Sequence, residues 1–556
     1  MRRVGMLLVA GLFVVSWLGA AQGVWEDEEG CTENCTVVAV GKNASVDGSV
    51  MTTHTCDGWY DPKVWVIPGG THEPGEMVKV YAGRLRDNPT SPPRVLGEIP
   101  QVEVTYTYFH IAYPFMNEHQ VMMGEHTTGG RRELRNTNGL FYIEELQALG
   151  LQRATTAREA IQIMGALAEK YGYIDGGETL SVCDPNEAWI FEIMGPGVLW
   201  TPDSGKPGAV WVAQRIPDDH VYVGANRSRI GEIDLNQPDW FMASPNIYTL
   251  GQEMGWWSPD SGVAFRFDDV YGPKEGFYNS RREWRVFDIL APSLEFDPYA
   301  KKYPFSVKPD ELVSVADLMA IKRDYYEGTE FDLTQGLAAG PYGAPDRWPT
   351  ANAAGGANWE RAISMFRCSY SFVSQSRNWL PNPIGGVLWF GEDAPHTTCY
   401  IPLYCGITEV PKSLQVRDIF TFSRESAWWA FDFVENWSNL AYSYIIQDVR
   451  ALQQKFEGEF FAMQPAVEQA ALALYNTDPK LAVTFLTNYS SDAVNRVVSA
   501  WWDLADTLIA KYSDGYVSQG GRRVARVYPS WWLEAVDYAK TTNPALYKDI
   551  IYNDEK

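Results

Sequence analysis

The sequence has few basic residues for its length. Among its 556 residues, 46 are Lys or Arg and 70 are Asp or Glu, which gives a formal net charge of −24. No basic tract is present, so the chain lacks the cluster of cations that releases counterions from a phosphate backbone. We therefore do not expect it to bind nucleic acid.

Long apolar runs are also scarce. The first covers residues 4–18 and is preceded by two arginines. At about 15 residues it falls short of the roughly 20 that span a bilayer. It is followed by Gly19-Ala20-Ala21, and this order is typical of a secretory signal peptide and its cleavage site. We predict a signal peptide over 1–21 and a secreted or periplasmic protein that does not contact the membrane after the signal is removed.

Cysteine and histidine are rare, with seven of each. Seven scattered cysteines do not form a disulfide scaffold in a chain of this length, and their odd number indicates at least one free thiol in an exported protein. Cys399 and Cys405 are close enough in sequence to pair, but spacing alone does not decide this. No two histidines have metal-ligand spacing on a recognisable helix, so we predict no metal and no cofactor.

The common catalytic signatures are missing. The chain has no Gly-x-Ser-x-Gly elbow, no His-Glu-x-x-His and no phosphate-binding Gly-x-x-x-x-Gly-Lys-Ser/Thr. Paired carboxylates for glycoside hydrolysis stay open among the 70 acids, but no spacing distinguishes two of them.

A short acidic segment separates the signal from the first strand-like run. Residues 24–34 read VWEDEEGCTEN, and we interpret 22–34 as a propeptide. The following residues predict a hairpin, with a buried strand over 37–40, a turn at Asp47-Gly48 and a second strand over 50–53. Because the ends of antiparallel strands are adjacent, Cys35 should lie beside His54 and Asp57.

A cysteine in this place can supply its own base. At a chain terminus its thiol lies near a free α-amine, whose unperturbed pKa of about 7.7 to 8.0 allows proton uptake near neutral pH. This requires cleavage between Asn34 and Cys35. The alternative is that Cys35 is an inert, small hydrophobic residue at a strand start. Cys31 is a rival nucleophile, but only Cys35 has the right distance to the Asp47-Gly48 turn.

Several strings resemble one enzyme family. CTVVAVGKNASVDGS followed by THTCDGWYD resembles the bacterial cysteine dipeptidases of the N-terminal-nucleophile hydrolase superfamily, which are related to secernins and more distantly to bile-salt and penicillin V amidases. The resemblance continues in MNEHQVMMGEHTT, NEAWIFEIMGPG, VGANRSRI and RNWLPNPIGGVLWFGEDAPHTTCYIPLYCGI, and it covers nearly all of the chain from Cys35 to about Tyr516. It implies an α+β fold, a four-layer αββα sandwich, with a helical C-terminal part.

The resemblance also implies roles for individual residues. Cys35 is the nucleophile, which is exposed by self-processing after Asn34, and Asp57 orients the new amino group. The superfamily often has Arg three residues before this Asp. His54 stands there instead, so a fixed guanidinium is replaced by a titratable ring. Without the resemblance, Asp57 would be interpreted as a cap of the Asp57-Gly58 turn.

Three further site residues follow from the same resemblance. Asn226 matches the position expected to hold the oxyanion of the tetrahedral intermediate, a task that suits an amide donor. Glu125 and Thr127 should lie near the substrate, and Glu125 is a candidate to bind its free amine. The structural alternatives are an ordinary turn amide at Asn226 and solvated strand-end residues at Glu125 and Thr127.

The coarse pattern is consistent with one catalytic domain. Residues 156–159 form a candidate capping box, followed by apolar residues at helical spacing. The segment 261–348 is rich in Gly, Pro and aromatic residues and is interpreted as insertions around a cleft. After residue 428 the pattern becomes helical. No low-complexity linker separates these parts, so we predict a hydrolase core over 35–430 and a helical part over 431–556.

The functional prediction is an exported cysteine dipeptidase that hydrolyses short peptides through an acyl-thioester. Two alternatives stay open at this point. A related enzyme that cleaves non-peptide linear amides would keep Cys35, Asp57 and Asn226 and differ in its pocket. A catalytically silent exported binding protein would keep the fold without the processed terminus. A homo-oligomer is compatible with each of them.

Overall fold

A computed structural model describes residues 34–85, 92–348 and 360–538. The predicted signal peptide, residues 22–33 of the predicted propeptide and the rival nucleophile Cys31 lie outside these residues. Among the described residues no helix has the length and apolar character needed to cross a membrane.

The β-structure consists of antiparallel pairs throughout the named strands. In chain order the strands are β1 (Asn34–Cys35), β2 (Val37–Val40), β3 (Val50–Asp57), β4 (Trp65–Ile67), β5 (Gly70–Thr71), β6 (Met77–Ala82), β7 (Arg94–Pro100), β8 (Val104–Thr105), β9 (Tyr108–His110), β10 (Met116–Asn117), β11 (Met122–Thr127), β12 (Glu178–Cys183), β13 (Ala188–Met194), β14 (Val210–Arg215), β15 (Val221–Gly224), β16 (Phe241–Ala243), β17 (Ser306–Val307), β18 (Cys368–Ser376), β19 (Val387–Glu392), β20 (Ile401–Tyr404), β21 (Tyr516–Gln519) and β22 (Arg522–Ala525).

Two eight-stranded sheets form the centre of the molecule. The first has the order β17-β15-β2-β3-β18-β19-β20, and β1 also pairs with β3. The second has the order β16-β14-β13-β12-β11-β10-β9-β4. The remaining strands form three two-stranded sheets, β5-β8, β6-β7 and β21-β22. The predicted hairpin is confirmed, and its second strand continues beyond residue 53 to Asp57, so His54 and Asp57 lie within the strand.

The two large sheets pack face to face, with β11 of the second against β3 of the first. Gly124 permits this contact. A Cβ atom at this position would lie 2.5 Å from the carbonyl oxygen of Thr53. Nearby, the hydroxyls of Thr52 and Ser181 form a hydrogen bond of 2.6 Å between the sheets. The absence of a side chain at Gly124 therefore sets the spacing of the two sheets next to the predicted site.

The helices lie outside the two sheets. In chain order they are α1 (Ile143–Arg153), α2 (Ala157–Tyr171), α3 (Thr249–Glu253), α4 (Phe267–Val270), α5 (Phe277–Leu290), α6 (Val315–Lys322), α7 (Asn382–Gly385), α8 (Ala427–Ser438), α9 (Tyr442–Thr477), α10 (Pro479–Lys511) and α11 (Ser530–Ala535). α2 packs on the second sheet, and α5, α6 and α8 pack on the first. The predicted α+β class is confirmed. The four-layer sandwich stays a prediction, which these contacts support.

The start of α2 differs in one detail from the predicted capping box. The Thr156 side chain accepts a hydrogen bond from the backbone N–H of Glu159, as expected. The Glu159 carboxylate, however, accepts from the N–H and the hydroxyl of Thr155 instead of returning to Thr156. The helix still begins at the predicted place because the Thr156 side chain accepts a hydrogen bond from one of the backbone N–H groups of the first turn.

The segment 261–348 contains more regular structure than its composition indicated. It includes α5 and α6, and both pack against the first sheet. The helical C-terminal part contains α8, α9 and α10, of which the last two have 36 and 33 residues. They pack against each other, and α10 contacts β20. Cys399 and Cys405, which were close enough to pair, are both free thiols.

Candidate active site

Cys35 lies at the edge of the first sheet, in register with the end of β3. Its partner in β3 is Cys56, and the partner of Asn34 is Asp57. Cys35 is fully buried. The predicted adjacency of Cys35 and Asp57 is therefore confirmed, and it follows from the hairpin that joins β2 to β3.

Between β1 and β2 the strand is interrupted at Thr36. Here side chains of β3 replace backbone partners, since the Thr55 hydroxyl accepts from Thr36 N at 3.0 Å and the Thr53 hydroxyl accepts from Val38 N at 2.8 Å. The carbonyl oxygen of Thr36 accepts a hydrogen bond of 2.5 Å from the Lys322 ammonium at the end of α6. The backbone that follows Cys35 is thus fixed from two directions.

Asp57 is held by a buried ion pair with Arg361. Its Oδ2 atom contacts this guanidinium and accepts a hydrogen bond of 3.0 Å from the Thr55 hydroxyl. Its Oδ1 atom is buried and has no hydrogen-bond partner among the described residues. The neighbouring Cys368 thiol donates instead to the carbonyl of Tyr370. One carboxylate oxygen beside β1 can therefore accept a further hydrogen bond.

Arg282 of α5 connects the backbone of Cys35 and Thr36 to Asn226. Its Nη1 atom donates to the carbonyl of Cys35 at 3.0 Å and to the Thr36 hydroxyl at 2.8 Å. Its Nη2 atom donates to Oδ1 of Asn226 at 2.8 Å. Burial, followed by the charge of Arg361, lowers the pKa of Arg282 to about 10. The side chain therefore stays a cation at neutral pH.

Asn226 follows β15 in a left-handed backbone conformation, with φ of 62°. Asn tolerates this conformation better than most residues. The Asn279 amide donates to the carbonyl oxygens of Ala225 and Asn226 and fixes the turn. Because Arg282 binds Oδ1, the Nδ2 group of Asn226 is oriented as a donor, and one of its hydrogens binds the carbonyl of Thr127 at 2.9 Å.

His54 and Glu125 face each other between the two sheets. The His54 Nε2 atom lies 3.4 Å from Oε2 of Glu125, and both side chains are buried. The ligand-type atoms of Cys35, His54 and Glu125 all lie within 4.8 Å of one another. The Thr127 hydroxyl donates to Oε1 of Glu125 at 3.3 Å.

The imidazole of His54 is enclosed by aromatic rings. Tyr113, Tyr370 and Phe372 meet it edge to face, with centroid distances of 5.5 to 5.7 Å. This packing fixes the ring plane and directs Nε2 to Glu125. The ring has the position at which the resemblance implied an arginine, and the guanidinium that binds Asp57 comes from Arg361 instead.

Burial dominates the electrostatics of Cys35. It raises the pKa of the Cys35 thiol well above its usual value, and the Cys56 thiol and the charge of Glu125 add to the effect. The Cys35 thiol is therefore neutral at pH 7 in the intact chain. Burial also lowers the pKa of Lys322 to about 7, against the attraction of Asp57.

The structure brings together the residues that the sequence singled out. Cys35, His54 and Glu125 form one cluster, and Thr127 contacts Glu125 and Asn226. Sequence reasoning missed Arg282, Arg361 and Lys322. The sequence contains little that would identify them. Arg282 lies in an amphipathic helix of the segment that was interpreted as insertions. Lys322 and Arg361 are single cations far from Cys35 in sequence.

Comparison with known proteins gives a consistent result. A profile of the family described as Peptidase family C69 matches residues 34–455. A protein of Latilactobacillus sakei named probable dipeptidase is 28% identical over 407 residues, which cover 69% of this chain and 78% of that protein. Dipeptidase A of Lactobacillus helveticus is 24% identical over 404 residues, which cover 70% and 79%. A probable dipeptidase of Salmonella dublin is 28% identical over 396 residues, which cover 67% and 81%.

Proposed function

The chain belongs to peptidase family C69, and we propose that it is a cysteine dipeptidase whose nucleophile is the thiol of an N-terminal Cys35. The observation that carries the proposal is the pairing of Cys35 with the end of β3, next to a buried carboxylate oxygen of Asp57 that lacks a partner among the described residues. The start of the family match at residue 34 supports the same position for the mature terminus.

The first step is hydrolysis of the peptide bond between Asn34 and Cys35. The Cys35 thiol attacks the carbonyl carbon of Asn34, and the acyl group passes from the nitrogen to the sulfur of Cys35. Water then hydrolyses this thioester, so Asn34 leaves as a carboxylic acid, the thiol is regenerated and the nitrogen of Cys35 is a primary amine. The register that pairs Asn34 with Asp57 supports this step, because it places the bond to be cleaved next to a buried carboxylate. The new amine lies beside Asp57, whose Oδ1 can accept one of its hydrogens.

Peptide hydrolysis then proceeds in two chemical steps. The Cys35 thiol transfers its proton to its own α-amine and attacks the scissile carbonyl, and the tetrahedral intermediate collapses to a thioester as the amine product leaves with a proton. Water hydrolyses the thioester and regenerates the thiol. A base is necessary because burial holds the pKa of this thiol high.

The oxyanion of the intermediate is assigned to Asn226. Its Nδ2 group is a hydrogen-bond donor, and it binds the carbonyl of Thr127 at 2.9 Å. Arg282 holds the amide in this orientation through Oδ1. A donor fixed before the reaction stabilises the developing charge without reorganisation.

The free amine of the substrate is assigned to Glu125. This carboxylate lies within 4.8 Å of the Cys35 thiol and is buried, so a bound ammonium would be strongly favoured there. Dipeptides have a free N-terminus next to the scissile bond, and this choice of substrate agrees with the dipeptidase names of the relatives. The export predicted from residues 1–21 is part of the same proposal.

The decisive experiment is to determine the N-terminus of the active protein by intact mass and N-terminal sequencing. Wild type should begin at Cys35. Cys35→Ala should retain its propeptide and hydrolyse no dipeptide, and Cys35→Ser should process and hydrolyse more slowly. Cys183→Ala is the matched control, since it removes another buried thiol from β12 and should process normally.

Two results would contradict the proposal. One is an active wild-type protein with an intact bond before Cys35, and the other is measurable peptide hydrolysis by purified Cys35→Ala. Substrate class is tested with the processed protein by comparing free dipeptides with N-acylated amino acids. Preference for the acylated series would reassign the enzyme to linear amide hydrolysis and would leave the nucleophile unchanged.

A further inference from the structure

A second buried cluster of ionisable side chains lies outside the candidate active site. It contains Asp346, His396 and Glu435, whose ligand-type atoms all lie within 4.8 Å of one another. The three come from separate parts of the chain, namely a loop, the segment after β19, and α8. Their side chains are buried, with 5% of Asp346 and 4% of His396 exposed, and 2% of Glu435 exposed.

A fourth acid supplies an independent indication of a missing ligand. Asp393, directly after β19, is 98% buried, and its Oδ2 atom has no hydrogen-bond partner among the described residues. Its backbone is in the left-handed region, with φ of 63°, which for a non-glycine residue is an uncommon conformation. It stands three residues before His396, in the same loop.

The cluster has almost no compensating charge. In the described part of the chain, no Lys or Arg forms an ion pair with Asp346, Asp393 or Glu435. The carboxylates of Asp346 and Glu435 share one buried space, where the Asn439 amide donates to both of them, and ionising both is costly without a cation. A bound divalent cation would remove this cost.

The orientation of His396 fits a metal ligand. Its Nδ1 atom lies 3.0 Å from the Ser364 hydroxyl, so Nδ1–H can donate to that oxygen and leave the lone pair of Nε2 directed to the acids. Tyr325 and Tyr442 pack edge to face on the ring. Ligating histidines are typically held by such a partner on the second nitrogen.

Asp346 is fixed in a similar way. Its Oδ2 atom accepts a hydrogen bond of 2.6 Å from the Asn439 amide, and its Oδ1 atom faces Nε2 of His396 at 4.0 Å. Two ligands of a tetrahedral zinc ion, each about 2.1 Å from it, are about 3.4 Å apart. A small side-chain rotation therefore brings this pair to ligand spacing.

We propose that Asp346, His396 and Glu435 bind a divalent transition-metal ion, of which zinc or manganese fits best. One imidazole with carboxylates suits these ions better than calcium, which prefers oxygen alone. Because all three ligands are buried, we assign the ion a role in stabilising the fold. The sequence predicted no metal because these ligands have no recognisable spacing.

The test is the metal content of the untagged, full-length protein, measured by inductively coupled plasma mass spectrometry. We expect one zinc or manganese ion per chain, its loss with a chelator, a lower melting temperature after that loss, and recovery on adding Zn²⁺ or Mn²⁺. Ser364→Ala should weaken the affinity about 10- to 100-fold. His396→Ala and Glu435→Gln should abolish binding.

Cys35→Ala is the matched control, because Cys35, His54 and Glu125 form the other cluster with ligand-type spacing. It should retain the ion, and its result is independent of whether Cys35 is the nucleophile. Glu435→Gln gives a distinguishing sign. If no metal binds, Glu435→Gln removes a repelling charge and should leave the melting temperature unchanged or raise it. If a metal binds, Glu435→Gln should lower the melting temperature to that of the chelator-treated wild type, and a chelator should then have no further effect.

Three outcomes would overturn the proposal. They are a wild-type protein that neither contains nor takes up zinc or manganese, a metal content that survives His396→Ala and Glu435→Gln but not Cys35→Ala, and uptake of Ca²⁺ alone. If a variant does not fold, chelation and metal addition on the wild-type protein still decide the question.

Discussion

Arg361 and Asp57 form an ion pair that joins residues 304 positions apart, and both side chains are at most 1% exposed. The pair places a fixed cation on one oxygen of the carboxylate and leaves the other oxygen for the nucleophile strand. Removing one partner of such a buried pair leaves an uncompensated charge in the interior, which strongly lowers the free energy of unfolding.

We expect Asp57→Asn and Arg361→Met each to destabilise the protein by about 3–5 kcal/mol, because each leaves one buried charge uncompensated. The double variant should recover much of this loss in equilibrium unfolding. Processing and hydrolysis should be lost in Asp57→Asn and in the double variant alike. Additive effects on stability, or an active double variant, would show that the pair does not position the site.

Asn226 gives a prediction about rate. Asn226→Asp keeps the acceptor for Arg282 but places an oxygen against the Thr127 carbonyl, and Asn226→Gly keeps the left-handed backbone and removes the donor. Both should fold. Loss of one oxyanion donor lowers kcat by about 10²- to 10³-fold, as measured by dipeptide hydrolysis. A change confined to KM would exclude the oxyanion role.

Gly124 gives a prediction about sheet spacing. Gly124→Ala places a methyl group 2.5 Å from the Thr53 carbonyl, next to His54. We expect a destabilisation of about 1–3 kcal/mol from overpacking and slower processing, measured by unfolding and by intact mass. Gly458→Ala is the control, since it has open space in α9 and should be neutral or slightly stabilising. Equal effects of the two substitutions would rule out the close approach as the cause.

Lys322 gives a prediction about pH. Burial lowers its pKa to about 7 from the ordinary value of 10.5, so between these values the unfolded chain binds a proton that the folded chain does not. Stability should therefore rise with pH from about 7 to about 10.5, and Lys322→Met should reduce this rise. Equilibrium unfolding at several pH values measures this change in the free energy of unfolding. Lys412→Met changes an exposed lysine and should leave the slope intact; an unchanged slope in Lys322→Met would contradict the prediction.

The part of the site encoded locally was predictable. The apolar run of β2, the Asp47-Gly48 turn and the length of β3 place Cys35 opposite Cys56, and all of this information lies within 23 residues of sequence, 35–57. The same holds for the long helices of the C-terminal part, whose apolar periodicity is sustained over many turns.

The cations of the site were not predictable in this way. Arg282, Lys322 and Arg361 reach Cys35, Thr36 and Asp57 from segments hundreds of residues away. Their role depends on tertiary packing, which periodicity does not report. The composition of 261–348 indicated loops, but α5 and α6 form because their apolar faces are buried on the first sheet, so packing outweighs the Gly and Pro around them.

The ion pair between Arg323 and Glu457 has a consequence for any attempt to shorten the protein. Arg323 directly follows Lys322, and the Glu457 carboxylate on α9 binds both its guanidinium and the backbone N–H of Tyr400. A chain truncated at residue 430 would lack Glu457. Arg323 would then lose its ion-pair partner, next to Lys322, which binds the carbonyl of Thr36. The helical pair α9 and α10 therefore contributes to the support of the segment around Cys35, and its removal should disturb that segment.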